Sequence, residues 1–384
     1  MLSILCAVAR IMRGDKIFGN VLGAFADGAV LFPLLALLAM KTGFSGAVLL
    51  ASAGVAYWVA GIVFRVPMSV QPLKSVAVAA VAVGASVAEV RYSGAMLGLF
   101  CLLLSLGAVN QWSEKVPASL IHSLQLALGV LLCMQGVGAG VLSLSLAAAG
   151  WLGIAGLAIR FASFPLLGLI ATAGILWAVF SGVNHDGAQI PQTEQIRPWL
   201  VVSLLVPQMA LTLANSVIGT KDVAKRYFGQ SASRVTVRAL LRSIGGLNIF
   251  SALIGGLPLC HGAGGVTAHV RGGATSWAAN GIIGSTLLLM AYVAYITNRA
   301  GDNVAFQYPA VLTSVLLITT GIFHMLLAAP TWRGGFGRIK LLVAAAVVLF
   351  TRNMLAVLLT GVVFEFVERI CVNDQISRRF KNHQ

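Results

Sequence analysis

The sequence predicts an all-α polytopic membrane protein with about fourteen spans in a 7+7 inverted repeat, and three observations carry that prediction. Charged residues are 10% of the 384 and apolar residues 58%, whereas about a quarter of a soluble domain is charged. The mean hydropathy is +0.92, and the apolar residues fall into repeated runs of roughly 17 to 25, each long enough to cross about 30 Å of hydrocarbon. The 26 Lys and Arg, against 11 Asp and Glu, cluster at 10–16, 221–242, 333–340 and 378–381, and an even number of runs separates any two clusters. The positive-inside rule then places all four clusters on the cytoplasmic side. This composition excludes a secreted disulfide scaffold, a nucleic-acid binder and an ordinary cytosolic enzyme. The five cysteines are odd in number and scattered, so neither a disulfide framework nor a metal spacing follows. No basic segment precedes the short apolar stretch before Arg10, and no cleaved signal peptide is expected.

In the first half the apolar runs fall near 20–40, 44–64, 70–87, 92–109, 117–137, 141–160 and 163–181. The following loop, 182–197, carries Asn184, His185, Asp186, Gln189 and Glu194 with one Arg, as an external loop should. The second half gives runs near 199–218, 239–257, 262–277, 280–297, 309–329, 339–351 and 353–369, the last two short enough to form a bent pair. An odd number of spans per half forces the halves into opposite orientations, the inverted repeat common in secondary transporters. Pro67 in the third span and Pro258 in the tenth are offset by about 191, and Pro117 and Pro309 by about 192, faint traces of such a repeat. The N-terminus (1–17) and the polar tail (371–384) are cytoplasmic in this scheme, and the basic stretch Lys221–Arg242 reads as an interfacial helix against anionic headgroups rather than a nucleic-acid patch.

Pro67 and Pro72 cannot sit inside a continuous helix, and unpaired backbone is tolerated at membrane depth only where it lines a cavity. The third span is therefore predicted to begin extended and turn helical after Pro72. Pro258 followed by Gly262, Gly264 and Gly265 predicts the same for the tenth. In an inverted repeat the two half-helices point their N-termini at one place, which makes an anion site. Two helix N-termini and Lys74 together supply a charge of about +2, a match for a dianion such as a tetrahedral oxyanion. The plain alternatives are kinks and close packing for the Pro and Gly residues, and snorkelling or a salt bridge for Lys74.

Asp27 interrupts the first span; an isolated carboxylate there should pair, with Lys74 as a candidate, or carry a proton. Its protonation on arrival of a dianion would restore charge balance, against the alternative of a purely structural ion pair. In the eighth span Gln208, Thr212, Asn215 and Ser216 recur at spacings of three and four, one helical face able to donate hydrogen bonds, or to bond neighbouring helices. His261 is either a proton or oxyanion partner or a packed donor. His122, His269 and His324 read as structural, and Cys260 as a small packed residue. No Walker motif, HExxH or Ser/His/Asp constellation is present, so neither an enzyme nor a cofactor is expected.

At these positions the chain resembles a known family. Pro67-Met68-Ser69-Val70-Gln71-Pro72-Leu73-Lys74-Ser75, Leu257-Pro258-Leu259-Cys260-His261-Gly262-Ala263-Gly264-Gly265 and the stretch Pro207-Gln208 to Asn215-Ser216 are similar to motifs of the molybdate transporter type 1 family, a branch of the SulP sulfate-permease superfamily without its STAS domain. Met68 stands where Val is commoner, and Val266 to Arg271 departs from the usual aromatic-bearing sequence. The resemblance implies a SulP/uracil-permease-like fold with half-helices at spans 3 and 10. It also implies a core domain (18–110 and 198–298) that moves elevator-fashion against a gate domain (116–182 and 305–370). Nucleobase permeases of the same fold tend to carry carboxylates on spans 8 and 10, where this chain offers Gln208, Thr212 and Gly264.

The expected function is secondary transport of molybdate, with sulfate second, coupled to protons, in the cytoplasmic (inner) membrane; a sulfate or nucleobase permease, an anion channel and a non-transporting scaffold are the alternatives. Expected substrate contacts are Gln71, Lys74, Ser75, Gln208, Thr212, Asn215, Ser216, His261, Gly262, Ala263, Gly264 and Gly265, with Asp27 and His261 as proton carriers. The expected partners are the oxyanion, protons and membrane lipid, with a homodimer allowed and no nucleic acid.

Overall fold

The computed structural model describes residues 16–107, 117–138, 164–180, 195–297 and 310–381. The expected sixth span (141–160), most of the loop 182–197, Pro309, and the first cluster's Arg10 and Arg13 lie outside the described residues. The first span is α1 (Lys16–Ala26) running into α2 (Gly28–Thr42), with Asp27 at the junction in helical conformation. The second is α3 (Gly46–Phe64). The third is extended through β1 (Gln71–Pro72) and becomes helical only at α4 (Lys74–Ala82), as the two prolines predict. Then come α5 (Val87–Leu106), α6 (Ala118–Gly136) and α7 (Phe164–Phe180).

The eighth span starts as α8 (Pro198–Leu211), widens into a π-helical segment (Thr212–Gly219) and continues as α9 (Thr220–Phe228). The ninth is α10 (Val237–Leu253), so Arg238 and Arg242 belong to its first turns and only Lys221, Lys225 and Arg226 of the basic stretch lie on α9. The tenth repeats the break of the third: β2 (Leu259–Cys260) precedes α11 (Ala263–Arg271). After α12 (Ala278–Thr297) and α13 (Ala310–Leu327), a short α14 (Ala329–Trp332) leads to α15 (Gly335–Thr351) and α16 (Met354–Lys381). The last two helices meet at Arg352, which takes a left-handed conformation at φ 53°, and α16 runs well past the expected end of its span at 369.

The principal helix pairs are α3 with α12, α5 with α10, and α6 with α13. All three cross where small residues face each other: a Cβ on Gly54, Gly98 or Gly129 would stand within 2.9 Å of the carbonyl oxygen of Gly284, Gly245 or Gly321. This is how helices pack where lipid is as apolar as the side chains and dispersion must supply the attraction.

Two partly buried ionic clusters tie neighbouring segments together. Ser86 and Glu89 form a capping box at the start of α5, and Glu89 also takes a bidentate grip from Arg197, at 2.8 Å to each oxygen, at the start of α8. Lys340, counted by sequence with a cytoplasmic basic cluster, is instead turned inward and buried, bonded to Glu365 at 2.6 Å and Glu368 at 2.5 Å on α16.

Candidate functional site

The two broken spans meet. β1 pairs antiparallel with β2, Gln71 opposite Cys260 and Pro72 opposite Leu259. Backbone left unpaired by the breaks is taken up by two side-chain amides. Asn280 of α12 accepts from the Met68 N–H at 2.9 Å and donates to the Met68 carbonyl at 2.6 Å. Asn248 of α10 likewise accepts from Leu259 N–H at 2.9 Å and donates to its carbonyl at 2.6 Å. Each amide imitates a neighbouring strand, so the segments stay extended without exposing polar groups to lipid.

Ser69 fixes the start of α11, its hydroxyl accepting from Gly262 N–H at 2.9 Å and donating to Gly262 carbonyl at 2.7 Å. At the start of α4, Leu73 N–H bonds the Pro258 carbonyl at 2.9 Å and Ser75 N–H donates to Gln208 Oε1 at 3.1 Å. The amides of Lys74 and Val76, and of Ala263 and Gly264, have no acceptor among the described residues. Lys74, half-buried in the first turn of α4, has its Nζ 3.9 Å from the point a Cβ on Gly262 would occupy, and no carboxylate among the described residues pairs with it. Free N–H groups of two helix N-termini and one ammonium thus lie close together.

Beside them lies a small cavity lined by Lys74, Gln208, Leu211, Asn215, Ser216 and Cys260 on one side and by Gln125, Leu128 and His324 on the other. Ser75 Oγ, Gln125 Oε1 and His324 Nδ1 are buried without hydrogen-bond partners in this region. Buried polar atoms in native proteins are nearly always satisfied, so three orphans together point to a bound ligand or water.

The structure sorts the sequence-derived candidates into three groups. Lys74, Gln208, Asn215 and Ser216 line the cavity, with Ser75, Gly262, Ala263 and Gly264 at the two helix tips around it. Thr212, at the start of the π-helical segment, is buried and does not line the cavity; its hydroxyl accepts from Gln208 Nε2 at 3.1 Å. Gln71, Gly265 and His261 are set back. His261 is wholly buried against Phe64, with Nδ1 2.8 Å from the Ser69 carbonyl and Nε2 2.9 Å from Ser243 Oγ.

Asp27 does not pair with Lys74. It accepts hydrogen bonds from Tyr57 Oη at 2.6 Å and from Gln71 Nε2, and His269 Nε2 lies 3.7 Å from its Oδ2. Gly265 permits this arrangement, since a Cβ there would collide with Asp27, Ser69 and Gln71.

Sequence reasoning missed Gln125, His324 and Cys260 as cavity residues, Asn248 and Asn280 as backbone clamps, and Tyr57 and His269 as neighbours of Asp27. A signal was available for several of them, because polar side chains in the middle of apolar runs are expensive and need a reason. The missing information was which helix faces meet.

The family profile described as "Molybdate transporter of MFS superfamily" matches residues 19–132 and 201–325. Among curated proteins, Molybdate transporter 2 of Arabidopsis thaliana is 23% identical over 88% of this chain and 84% of its own length. Molybdate transporter 1 of Chlamydomonas reinhardtii is 32% identical over 43% of this chain and 33% of its own. Among solved structures, the transmembrane domain of a cyanobacterium bicarbonate transporter, BicA, superposes with a TM-score of 0.60 at 16% identity, covering 90% of this chain and 97% of that one. Murine Slc26a9, an anion transporter in the inward-facing state, gives 0.60 at 12% identity over 93% of this chain and 69% of that one. The fold is the SulP type that the sequence motifs imply.

Proposed function

The chain belongs to the molybdate transporter family, and on that premise we propose that it is a secondary active transporter of a tetrahedral oxyanion, molybdate first and sulfate second, in the cytoplasmic membrane. The observation that carries the substrate class is Lys74: an ammonium at the tip of one half-helix, facing the tip of another, with no carboxylate counter-ion among the described residues. A neutral ligand would leave that field uncompensated, whereas a dianion balances a charge of about +2. Substrate contacts are assigned to Lys74, Ser75, Asn215 and Ser216 and to the amides of Ala263 and Gly264. Gln208 supports the site by capping α4.

The movement is assigned to an elevator in which the core (18–110 and 198–298) slides against the gate (116–182 and 305–370), each half of the chain an inverted copy of the other. In favour of this division, the cavity lies on the seam, with Lys74 and Cys260 from the core facing Gln125 and His324 from the gate. Both termini are assigned to the cytoplasm by their basic residues.

Importing a dianion against an inside-negative potential costs about 2.3 kcal/mol per charge per 100 mV, which co-transported protons would offset. Of the two proton carriers expected from sequence, Asp27 is retained and His261 is assigned to structure, because both its ring nitrogens are already engaged.

The test is uptake of labelled molybdate by purified protein in liposomes, with sulfate, tungstate and uracil as competitors, with and without an inward proton gradient. The expected result is saturable uptake, inhibited by tungstate and sulfate and accelerated by the gradient. Inhibition by uracil but not sulfate overturns the substrate class, and non-saturable flux without counterflow makes the protein a channel.

A further inference from the structure

We propose that Asp27 and His269 form a single proton-holding pair beneath the anion cradle, and that Gln71 transmits its protonation to the cradle; this rests on the proton-coupled reading above.

The geometry fixes where the proton can be. His269, wholly buried near the end of α11, has its Nδ1 2.6 Å from the Gly23 carbonyl. A carbonyl only accepts, so Nδ1 carries a hydrogen. Nε2 then faces Asp27 Oδ2 at 3.7 Å and has no other partner among the described residues. A bare imidazole nitrogen and an ionised carboxylate are both acceptors and repel when they face each other in a dry interior. One proton on either Nε2 or Oδ2 turns the repulsion into attraction. The pair therefore has charge −1 without that proton and zero with it, and the proton is taken from and returned to solvent with no other bond made or broken.

Among the described residues the titratable groups around Asp27 are Tyr57 from α3 and His269 from α11, beside it, and Lys74 from α4 and Cys260 from β2, near enough to feel its charge without bonding it. Tyr57 supports both members, donating to Asp27 at 2.6 Å and meeting the His269 ring edge-on at a centroid distance of 6.1 Å.

Gln71 reaches from the pair to the cradle. Its Nε2 donates to Asp27, and its Oε1 is buried without a partner, 2.8 Å from the point a Cβ on Gly262 would occupy. With the pair ionised, the cradle feels about +1 from the dipoles, Lys74 and Asp27 together; with the pair neutral it feels about +2. Oxyanion binding and proton binding therefore strengthen each other, reciprocally.

The test uses the full-length protein in detergent, with molybdate as the probe, in weakly buffered solution between about pH 5 and 8, the range in which an unperturbed imidazole changes charge. A pH-indicator dye reads protons taken up when molybdate binds, and titration calorimetry reads affinity. Wild type should take up about one proton per oxyanion and bind more tightly at the lower pH. His269→Gln and Asp27→Asn should each still bind molybdate but abolish the proton uptake and flatten the pH dependence. A difference infrared spectrum should lose its molybdate-induced carboxyl band in Asp27→Asn. If Asp27→Asn does not fold, His269→Gln carries the test alone. Proton uptake that persists in His269→Gln overturns the pair while leaving proton coupling intact. Molybdate binding by wild type without any proton uptake overturns the proton-coupled reading itself.

Discussion

The Asn280 side chain closes both backbone groups of Met68, accepting from its N–H and donating to its carbonyl. A third bond runs from the same amide nitrogen to the Tyr57 carbonyl at 3.2 Å, so one residue of α12 holds α3 and the unwound third span together. Polar bonds between membrane helices average only about 0.6 kcal/mol, because a chain unfolded within the membrane finds other partners. Here truncation strands two buried backbone groups at about 1–3 kcal/mol each, and that larger effect should win. Asn280→Leu and Asn248→Leu are each expected to lower stability by about 2–3 kcal/mol. Thermal unfolding in detergent, followed by tryptophan fluorescence, should register a drop of several degrees for both; midpoints unchanged within error would refute the clamp.

Lys74 sets affinity more than stability. At an effective dielectric constant of about 20, a unit charge pair 4 Å apart is worth roughly 4 kcal/mol, and a factor of ten needs about 1.4. Lys74→Gln should weaken molybdate binding by at least about tenfold while leaving the thermal midpoint near wild type, since no ion pair is broken. Lys74→Arg keeps the charge but not the compact shape and should be intermediate. Equilibrium binding of labelled molybdate distinguishes the three, and full affinity in Lys74→Gln would remove the ammonium from the site.

Two neighbouring glycines should behave differently. A Cβ at Gly265 would meet Gln71 Nε2 at 2.6 Å and crowd Asp27 and Ser69, whereas one at Gly264 finds only Phe323 Cε1, at 3.8 Å. Overpacking of a filled interior costs about 1–3 kcal/mol, so Gly265→Ala should be destabilised by that amount and Gly264→Ala should not. Detergent melting curves for the pair give the comparison, and equal midpoints would mean that α11 can shift to make room.

The broken spans were legible because Pro and Gly act locally: Pro72 and Pro258 forbid a helix whatever surrounds them, and α4 and α11 start within a few residues of the predicted places. Lys74 and the cavity face of the eighth span were legible because polar residues in apolar runs are few. What the sequence did not disclose depends on packing between helices. His269 and His324 look alike in sequence, yet one meets Asp27 and the other ends in the cavity. Asp27 had Lys74 as its candidate partner in the sequence, and only the contact of α1 with α11 brings His269 to it. Lys340 was counted with a cytoplasmic basic cluster because its sequence neighbours are basic, although its carboxylate partners stand 25 and 28 residues further on. The π-helical segment that begins at Thr212 has no simple sequence signature.

Cys260 offers a direct probe of the cavity. The free cysteines among the described residues are Cys101, Cys133 and Cys260; Cys101 is buried in the helix core, and Cys133 lies against α13 with its Sγ 3.8 Å from the Ile318 carbonyl. Cys260 is 5% exposed, and it lines the cavity beside Lys74. The field that attracts an oxyanion should attract an anionic thiosulfonate and repel a cationic one, so modification of Cys260 should be faster with the anionic reagent. Molybdate should compete for the same space. At ten times its Kd, only about a tenth of the sites remain open, and modification should slow about tenfold. The measurement is the labelling rate by mass spectrometry in a background with Cys6, Cys101, Cys133 and Cys371 replaced by Ala. Slowing by molybdate together with a preference for the anionic reagent would place the oxyanion between the two half-helix tips. A labelling rate indifferent to molybdate, at concentrations where binding is independently saturated, would place it elsewhere.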